Sequence, residues 1–305
     1  MRYREKKIPL PRQDEESLKK YLRTQDFGNL ISFLNAFQDF MPVVIGDKSA
    51  LERIAYEFCE TQSKLNILYT ELRYSPHYFS NTARNFLWDK FPPYHGKGDL
   101  TPEQTVEAVN KGLLRGRTDF GVHVYSILCC MEDHPEWSKT VLDICTKLRN
   151  EGVVGIDQAG ANTGFSEQAV RIFEEAERRG IFRTAHAGET GSADCVKQEL
   201  HVNRIGHGYR VFRDLSVYDL AKKKNIHFEI CPLSSVMTGA VSNKWDSHPV
   251  HKLLEDKGNF SINTDDPTLL GNDLNSEFQL CAEKLGFTPQ DFFHVVSSTN
   301  CLNAD

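Results

Sequence analysis

Short apolar runs alternate with amphipathic helical runs along this chain of 305 residues, and that alternation limits the folds it can adopt. Nearly continuous apolar runs are typical of strands covered on both faces, and intervening helices favour parallel pairing. A parallel sheet with crossover helices is therefore predicted. The seven predicted strands lie at 65–74, 121–130, 152–158, 181–189, 203–208, 225–231 and 259–267.

Three of these runs end in side chains that can bind a metal or carry protons. The first ends in His186 and Glu189, the second in His207 between two glycines, and the third in Asp265 and Asp266. Imidazole and carboxylate groups are the zinc ligands and proton carriers of hydrolytic sites. Active groups on several strand tips favour a closed barrel over an open sheet. The predicted fold class is α/β, a (β/α)8 TIM-type barrel.

Each of these polar groups also has a structural interpretation. His186 could be a buried histidine paired with a carboxylate, and Glu189 could be an acidic residue favoured by a helix N-terminus. Asp266 could cap the helix that follows it. The functional interpretation is preferred because the same pattern recurs on three strands.

The barrel interpretation leaves one strand unaccounted for. A barrel of this type has eight strands, whereas seven apolar runs are found and none precedes residue 65. Either this count misses one strand, or the first strand precedes Met1. Residues 1–305 are expected to form one domain that is shortened at both ends. A loop rich in Pro and Gly is predicted at 91–98.

Composition narrows the class of partner. The net charge of −6 argues against nucleic acid or an anionic membrane as the main partner, and no apolar run is long enough to span a bilayer. The N-terminus carries charge without a following apolar segment, so no signal peptide is predicted. The eight cysteines form no Cys-x-x-Cys pair, which is typical of reduced thiols in a cytoplasmic protein.

One predicted helix, at 28–40, has a distinct apolar face. Leu30, Phe33, Leu34 and Phe37 recur at helical spacing along it. This face could pack on the core, or it could form a lid over a pocket.

Six motifs together resemble the adenosine deaminase family, in the right order and over essentially the whole chain. Their joint occurrence is far more specific than any one motif. The motifs are Glu-Leu-Arg-Tyr-Ser-Pro-His at 71–77, Ser-Ile-Leu-Cys-Cys-Met at 126–131, His-Ala-Gly-Glu at 186–189, Arg-Ile-Gly-His-Gly-Tyr at 204–209, Glu-Ile-Cys-Pro-x-Ser-Ser at 229–235 and Asn-Thr-Asp-Asp-Pro at 263–267.

The resemblance implies a barrel with one zinc ion (Zn2+) that hydrolyses adenosine or 2′-deoxyadenosine to the inosine nucleoside and ammonia. It implies that His186 and Asp265 bind zinc. By the same resemblance Glu189 protonates purine N1, His207 steers the attacking hydroxide, and Asp266 contacts N7 and the attacking water.

The resemblance also extends to substrate binding. It implies that Gly160 donates a backbone hydrogen bond to N3, and that Leu30, Phe33, Leu34 and Phe37 form a gate over the ribose pocket. The expected partner is a small purine nucleoside, bound by a monomer.

The sequence departs from the family pattern at two places. No His-x-His pair occurs in it, although the family carries one on its first strand as two further zinc ligands. Gln158, Ala161 and Asn162 replace the usual leucine and acidic residues around Gly160. With two ligands instead of three, the chain is expected to bind zinc weakly and turn over slowly or not at all.

Two alternatives to an active adenosine deaminase therefore stay open. One is a catalytically impaired isoform or fragment of such an enzyme. The other is a sibling deaminase that acts on AMP, N6-methyl-AMP or adenine. A nucleotide site would need additional Lys or Arg donors for phosphate, and none is convincingly placed.

Overall fold

The computed structural model describes residues 12, 14–23, 27–82, 99–160 and 164–298. The loop predicted at 91–98 lies outside the described residues, and so do Ala161, Asn162 and Cys301.

Seven strands among the described residues follow one another in a single sheet, in the order in which they occur along the chain. The pairs β1–β2, β4–β5, β5–β6 and β6–β7 are parallel. This confirms the predicted parallel sheet; the strand expected before Met1 stays a prediction. The strands are β1 (Tyr69–Tyr74), β2 (His123–Met131), β3 (Val153–Ala159), β4 (Phe182–Ala187), β5 (Arg204–His207), β6 (His227–Ile230) and β7 (Phe260–Ile262).

Helices precede, separate and follow these strands. No described helix is both long and apolar enough to cross a bilayer. The helices are α1 (Glu15–Arg23), α2 (Leu30–Ala36), α3 (Lys48–Lys64), α4 (Pro76–Phe79), α5 (Pro102–Phe120), α6 (Ser138–Lys147), α7 (Glu167–Arg178), α8 (Ala193–Gln198), α9 (Leu215–Lys223), α10 (Pro232–Met237), α11 (Val250–Glu255), α12 (Pro267–Leu270), α13 (Leu274–Lys284) and α14 (Pro289–Ser298).

The prediction of one helix at 28–40 was wrong in its extent. Helix α2 ends at Ala36, and two short 3-10 turns, Phe37–Asp39 and Met41–Val43, follow it. Pro42 in the second turn has no backbone N–H to donate, so it cannot continue an α-helix there.

Contacts divide the chain into two compact units. The first comprises the described residues of Met1–Tyr21, Asn35–Cys129 and Lys139–Gly155. Helices α3 and α5 approach closely within it because Gly112 has no side chain: a Cβ there would lie 2.1 Å from the backbone oxygen of Glu52. The prediction of one domain over 1–305 stays a prediction.

The second unit comprises the described residues of Leu22–Leu34, Cys130–Ser138 and Ile156–Asp305, and it contains all the strand-tip groups identified above. Strand register pairs Ala187 with His207 and Ile230 with Ile262. Since parallel strands finish at a common edge, the residues after β4, β5, β6 and β7 are brought together.

His248 in this unit is a buried structural histidine. Its Nδ1 accepts a hydrogen bond from the backbone N–H of Val250 at 3.2 Å, and its Nε2 lies 3.3 Å from Ser235 Oγ. The neutral ring therefore carries its proton on Nε2. Burial, and then the neighbouring His251, lowers the pKa of His248 to about 4.

We predict that His248 makes folding sensitive to mild acid. Its pKa falls from 6.5 to about 4 on folding, so the unfolded chain binds more protons across that window. The free energy of unfolding should therefore fall by about 2 kcal/mol between pH 7 and pH 5 through this residue. Urea unfolding at both pH values should show a smaller fall in His248→Phe. The exposed His123→Gln serves as control; equal falls in all three proteins would contradict the prediction.

Candidate active site

His186, near the end of β4, has a carboxylate partner behind it. Its Nδ1 lies 2.9 Å from Oδ2 of Asp157 and 3.3 Å from the backbone oxygen of Gln158. Asp157 is fully buried on β3. Histidines that bind metals usually hold their second ring nitrogen in this way, which fixes the ring orientation. The arrangement suits His186 as a ligand through Nε2.

His207 ends β5 and lies at the centre of the cluster. Its ring centroid is 5.5 Å from that of His186. Its Nε2 lies 3.6 Å from Oε2 of Glu189 and 4.0 Å from Oδ2 of Asp265. Its Nδ1 is buried without a hydrogen-bond partner. The structure therefore brings His186, Glu189, His207 and Asp265 together, as the sequence predicted.

Both His207 and Asp265 have left-handed backbone conformations, with φ of 65° and 59°. Such values are uncommon outside glycine and cost on the order of 1–3 kcal/mol each when the position is strained. Strain of this kind is concentrated at functional sites. In this protein two of the left-handed positions are His207 and Asp265, whose side chains lie close to each other.

Asp265 and Asp266 are consecutive residues after β7, and both are partly buried. Burial opposes ionisation of Asp265, but His207, a hydrogen bond from Ser234 and His186 outweigh it, so the pKa of Asp265 is lowered. Burial, followed by the charge of Asp265, raises the pKa of Asp266 well above its usual value.

Glu189 is enclosed at the tip of β4, with only 2% of its surface exposed. Gly188 before it has a φ of 63°, and a Cβ there would lie 2.4 Å from Cγ2 of Val196. The turn therefore requires glycine. The Thr238 hydroxyl donates a 2.9 Å hydrogen bond to Oε1 of Glu189, which holds the carboxylate in place.

The four residues predicted to form a gate differ in how far they are buried. Leu30 and Phe33 are buried, whereas Leu34 is 39% exposed. The prediction that these residues form a gate stays a prediction. Phe37 lies beyond the end of α2, because that helix stops one residue earlier.

The start of α2 approaches the loop after α10. A Cβ on Gly239 would lie 2.6 Å from the backbone oxygen of Gly28, so the two segments nearly touch. Gly239 follows Thr238, the hydrogen-bond donor to Glu189.

Gly160 lies directly after β3 with a φ of 149°, and a Cβ there would lie 2.8 Å from Cβ of Glu132.

Donor atoms suited to a metal meet at His207, Cys231 and Asp265, each pair within 4.8 Å. Nitrogen, sulfur and carboxylate oxygen are the ligands that zinc uses in proteins. Together with the unpartnered Nδ1 of His207, this donor set fits a zinc-type cation. His186, predicted from sequence as a ligand beside Asp265, is not one of these three but lies next to His207.

Sequence reasoning missed Cys231 and Thr238, and it included Ser234 only as part of the motif at 229–235. Ser234 Oγ donates to Oδ2 of Asp265 at 2.6 Å. Cys231 had a usable signal, since it follows β6 as Glu189 follows β4 and Asp265 follows β7. Thr238 had none, because its link to Glu189 spans 49 residues.

Comparison with known proteins gives the chain a family. The profile of the adenosine deaminase family matches residues 3–300. Adenosine deaminase of Danio rerio is 40% identical over 304 residues, covering 97% of this chain and 83% of the relative. That of Bos taurus is 40% identical over 296 residues, covering 95% and 80%.

Solved structures agree with the fold. Adenine deaminase from Arthrobacter aurescens superposes with a TM-score of 0.81 at 25% identity, covering 99% of this chain and 89% of that one. An Arabidopsis N6-mAMP deaminase gives a TM-score of 0.77 at 22% identity, covering 92% and 81%.

A third structure is an amidohydrolase from Burkholderia ambifaria with bound Zn. It gives a TM-score of 0.81 at 20% identity, covering 97% of this chain and 78% of that one. These likenesses confirm the predicted α/β barrel class. Because the family profile and relatives of 40% identity each cover nearly all of it, the chain belongs to the adenosine deaminase family.

Proposed function

We propose that this chain hydrolyses adenosine and 2′-deoxyadenosine to inosine and 2′-deoxyinosine with release of ammonia. The observation that supports this most is the buried cluster of Glu189, His207, Asp265 and Asp266 at neighbouring strand tips. Relatives named adenosine deaminase, at 40% identity, favour this substrate.

The site residues would hold zinc through His186 and Asp265. When bound there, zinc would supply a Lewis acid that brings the pKa of water down to about 7. The carboxylate of Asp157 behind His186 and the hydroxyl of Ser234 on Asp265 would orient the two ligands. The bound Zn of the Burkholderia ambifaria structure supports this choice of metal.

Glu189 would act on purine N1. The reaction adds water to C6 and expels ammonia, so C6 must become electrophilic. A proton from Glu189 to N1 withdraws electrons from that carbon. The hydroxyl of Thr238 holds Oε1 of Glu189, and the burial of Glu189 keeps bulk water away from the proton transfer.

His207 would serve the attacking oxygen. Its Nε2 lies between Glu189 and Asp265, 3.6 Å and 4.0 Å from their oxygens. From there it can orient the attacking hydroxide and stabilise the charge that develops near C6.

Asp266 would recognise the purine as an acid. Burial raises the pKa of Asp266, which favours the protonated carboxyl, and that form can donate to N7, which is an acceptor. The backbone N–H of Gly160 would donate to N3. Leu30, Phe33, Leu34 and Phe37 would cover the ribose.

The sibling activity on AMP or N6-methyl-AMP has weaker support. The Arabidopsis N6-mAMP deaminase shares the fold at 22% identity, whereas named adenosine deaminases reach 40%.

A cytoplasmic monomer is also proposed. In support of that compartment, no disulfide joins the seven cysteines of the described residues.

Ammonia release tests the function directly. The chain, supplied with zinc, should release ammonia from adenosine and 2′-deoxyadenosine faster than from AMP, N6-methyl-AMP or adenine. Glu189→Gln should lower kcat by about 10²–10⁴-fold, because it cannot give N1 a proton. The exposed Glu167→Gln is the matched control and should match the wild type. Preference for AMP, or no turnover by the wild type, would contradict the proposal.

Thr238 offers a test of how Glu189 is positioned. Thr238→Val removes the hydroxyl donor but keeps the shape, and should lower kcat about tenfold with little change in KM, which is about the value of one hydrogen bond. Thr238→Ser keeps a hydroxyl and should recover most of the rate. Steady-state kinetics on adenosine would measure both. Equal rates in Val and Ser variants would count against this role.

A further inference from the structure

One short helix, α10, carries the hydrogen-bond donors to two carboxylates of the site. Ser234 in its first turn donates to Oδ2 of Asp265 at 2.6 Å, and Thr238 at its C-cap donates to Oε1 of Glu189 at 2.9 Å. The helix has only six residues, so hydrogen bonds within it stabilise it weakly. Contacts that hold α10 in place therefore affect where both carboxylates lie.

The first turn of α10 is capped from another helix. Its N-cap residue, Cys231, makes no side-chain capping hydrogen bond. The backbone N–H of Leu233 lies too early in the helix to have an acceptor within it. It donates instead to Oε2 of Glu277 on α13, at 3.3 Å. Glu277 thus holds the end of the helix that carries Ser234.

Glu277 is also linked to the turn that carries Asp265. Its Oε1 accepts a 2.6 Å hydrogen bond from Nδ2 of Asn272, and the same Nδ2 donates to the backbone oxygen of Thr264 at 3.0 Å. Thr264 directly precedes Asp265, whose backbone is left-handed with a φ of 59°. One carboxyl group therefore joins the segment after β6 to the segment after β7.

The start of α13 gives Glu277 a fixed base. Asp273 and Ser276 form a capping box there. The N–H of Ser276 donates to Oδ1 of Asp273 at 2.8 Å, and the N–H of Asp273 donates to Oγ of Ser276 at 2.9 Å. Glu277 follows Ser276 directly, so its backbone position is set before its side chain reaches the neighbouring segments.

Burial makes Glu277 an unfavourable choice for stability alone. Only 1% of its surface is exposed, and burial, the largest effect, raises its pKa to about 7. A methionine of similar size would avoid the cost of burying an ionisable group. Proteins break such local rules mainly at functional sites. The two accepting oxygens are therefore what this position uses.

We propose that Glu277 is a positioning residue of the site. It fixes α10 against the turn after β7, and it thereby sets how Ser234 meets Asp265 and how Thr238 meets Glu189. It acts through Leu233 and Asn272 and not on the substrate. The inference deepens the proposed function and rests on it for the effect on turnover.

Steady-state kinetics of the full chain on adenosine, with zinc supplied, test this role. Glu277→Met keeps the size of the side chain but removes both acceptors. It should lower kcat about ten- to hundredfold with little change in KM, because small displacements at a catalytic site have effects of this size. Glu277→Gln keeps one acceptor oxygen and should lie between the wild type and Glu277→Met. Glu283→Gln, at an exposed position of the same helix, is the matched control and should equal the wild type.

A double-mutant cycle separates positioning from a general loss of stability. Ser234→Ala removes the hydroxyl through which Glu277 would act on Asp265. The loss of kcat in the double variant with Glu277→Met should be smaller than the product of the two single losses, because both changes affect one contact. Losses that multiply fully, or a Glu277→Met variant as active as an active wild type, would overturn the inference.

Hydrogen exchange tests the contact without turnover. The amide of Leu233 should exchange at least about tenfold faster in Glu277→Met than in the wild type, and at the wild-type rate in Glu283→Gln. Unchanged exchange in Glu277→Met would overturn the inference. Circular dichroism would verify folding, and Glu277→Gln would decide by the same criteria if Glu277→Met does not fold.

The two measurements also separate this inference from the proposed function. If the wild type releases no ammonia, the deaminase proposal fails, and the exchange rate of Leu233 alone decides whether Glu277 holds α10. If the wild type is active and Glu277→Met matches it, the role of Glu277 is rejected and the deaminase proposal stands.

Discussion

The burial of several carboxyl groups at one edge of the sheet is the constraint on which this site depends. Glu189, Asp265 and Asp266 lie within one cluster, and an isolated buried carboxylate would be strongly unfavourable there. The fold offsets this cost in two ways. His207, Ser234 and Thr238 contact the carboxylates, and the raised pKa of Asp266 favours its neutral form.

The same constraint gives the site its chemistry. A carboxylate held beside imidazole and thiol groups is a site for a divalent cation, and a neighbouring carboxylic acid is a donor for a purine nitrogen. His207 and Asp265 both have left-handed conformations, and Nε2 of His207 lies 4.0 Å from Oδ2 of Asp265. Backbone strain is thus accepted where it brings the reacting groups together.

Much of this could be predicted from sequence because it depends on local pattern. Apolar runs identify strands covered on both faces, and polar residues at their ends identify the active edge. The sequence did not predict where α2 ends. It also did not predict three short helices, which begin at Pro76, Pro232 and Pro267. Each of these three helices follows a strand, and the proline in its first turn is the signal that could have identified it.

Long-range pairings could not be predicted in the same way. The hydroxyl of Thr238 reaches Glu189, and Cys231 meets Asp265, only because parallel strands bring distant segments to one edge. A motif match transfers roles to residues that the family already uses. It gives no weight to Cys231, whose position becomes meaningful only beside Asp265.

Anomalous X-ray scattering at the zinc absorption edge, from crystals of the full chain grown with zinc, tests the central claim most directly. It locates the metal without reference to activity. We expect one peak beside the carboxylate of Asp265, at about 2.0–2.3 Å from its protein ligands. A peak elsewhere in the molecule, or none at this edge of the sheet, would contradict the assignment of the cluster as a metal-dependent deaminase site.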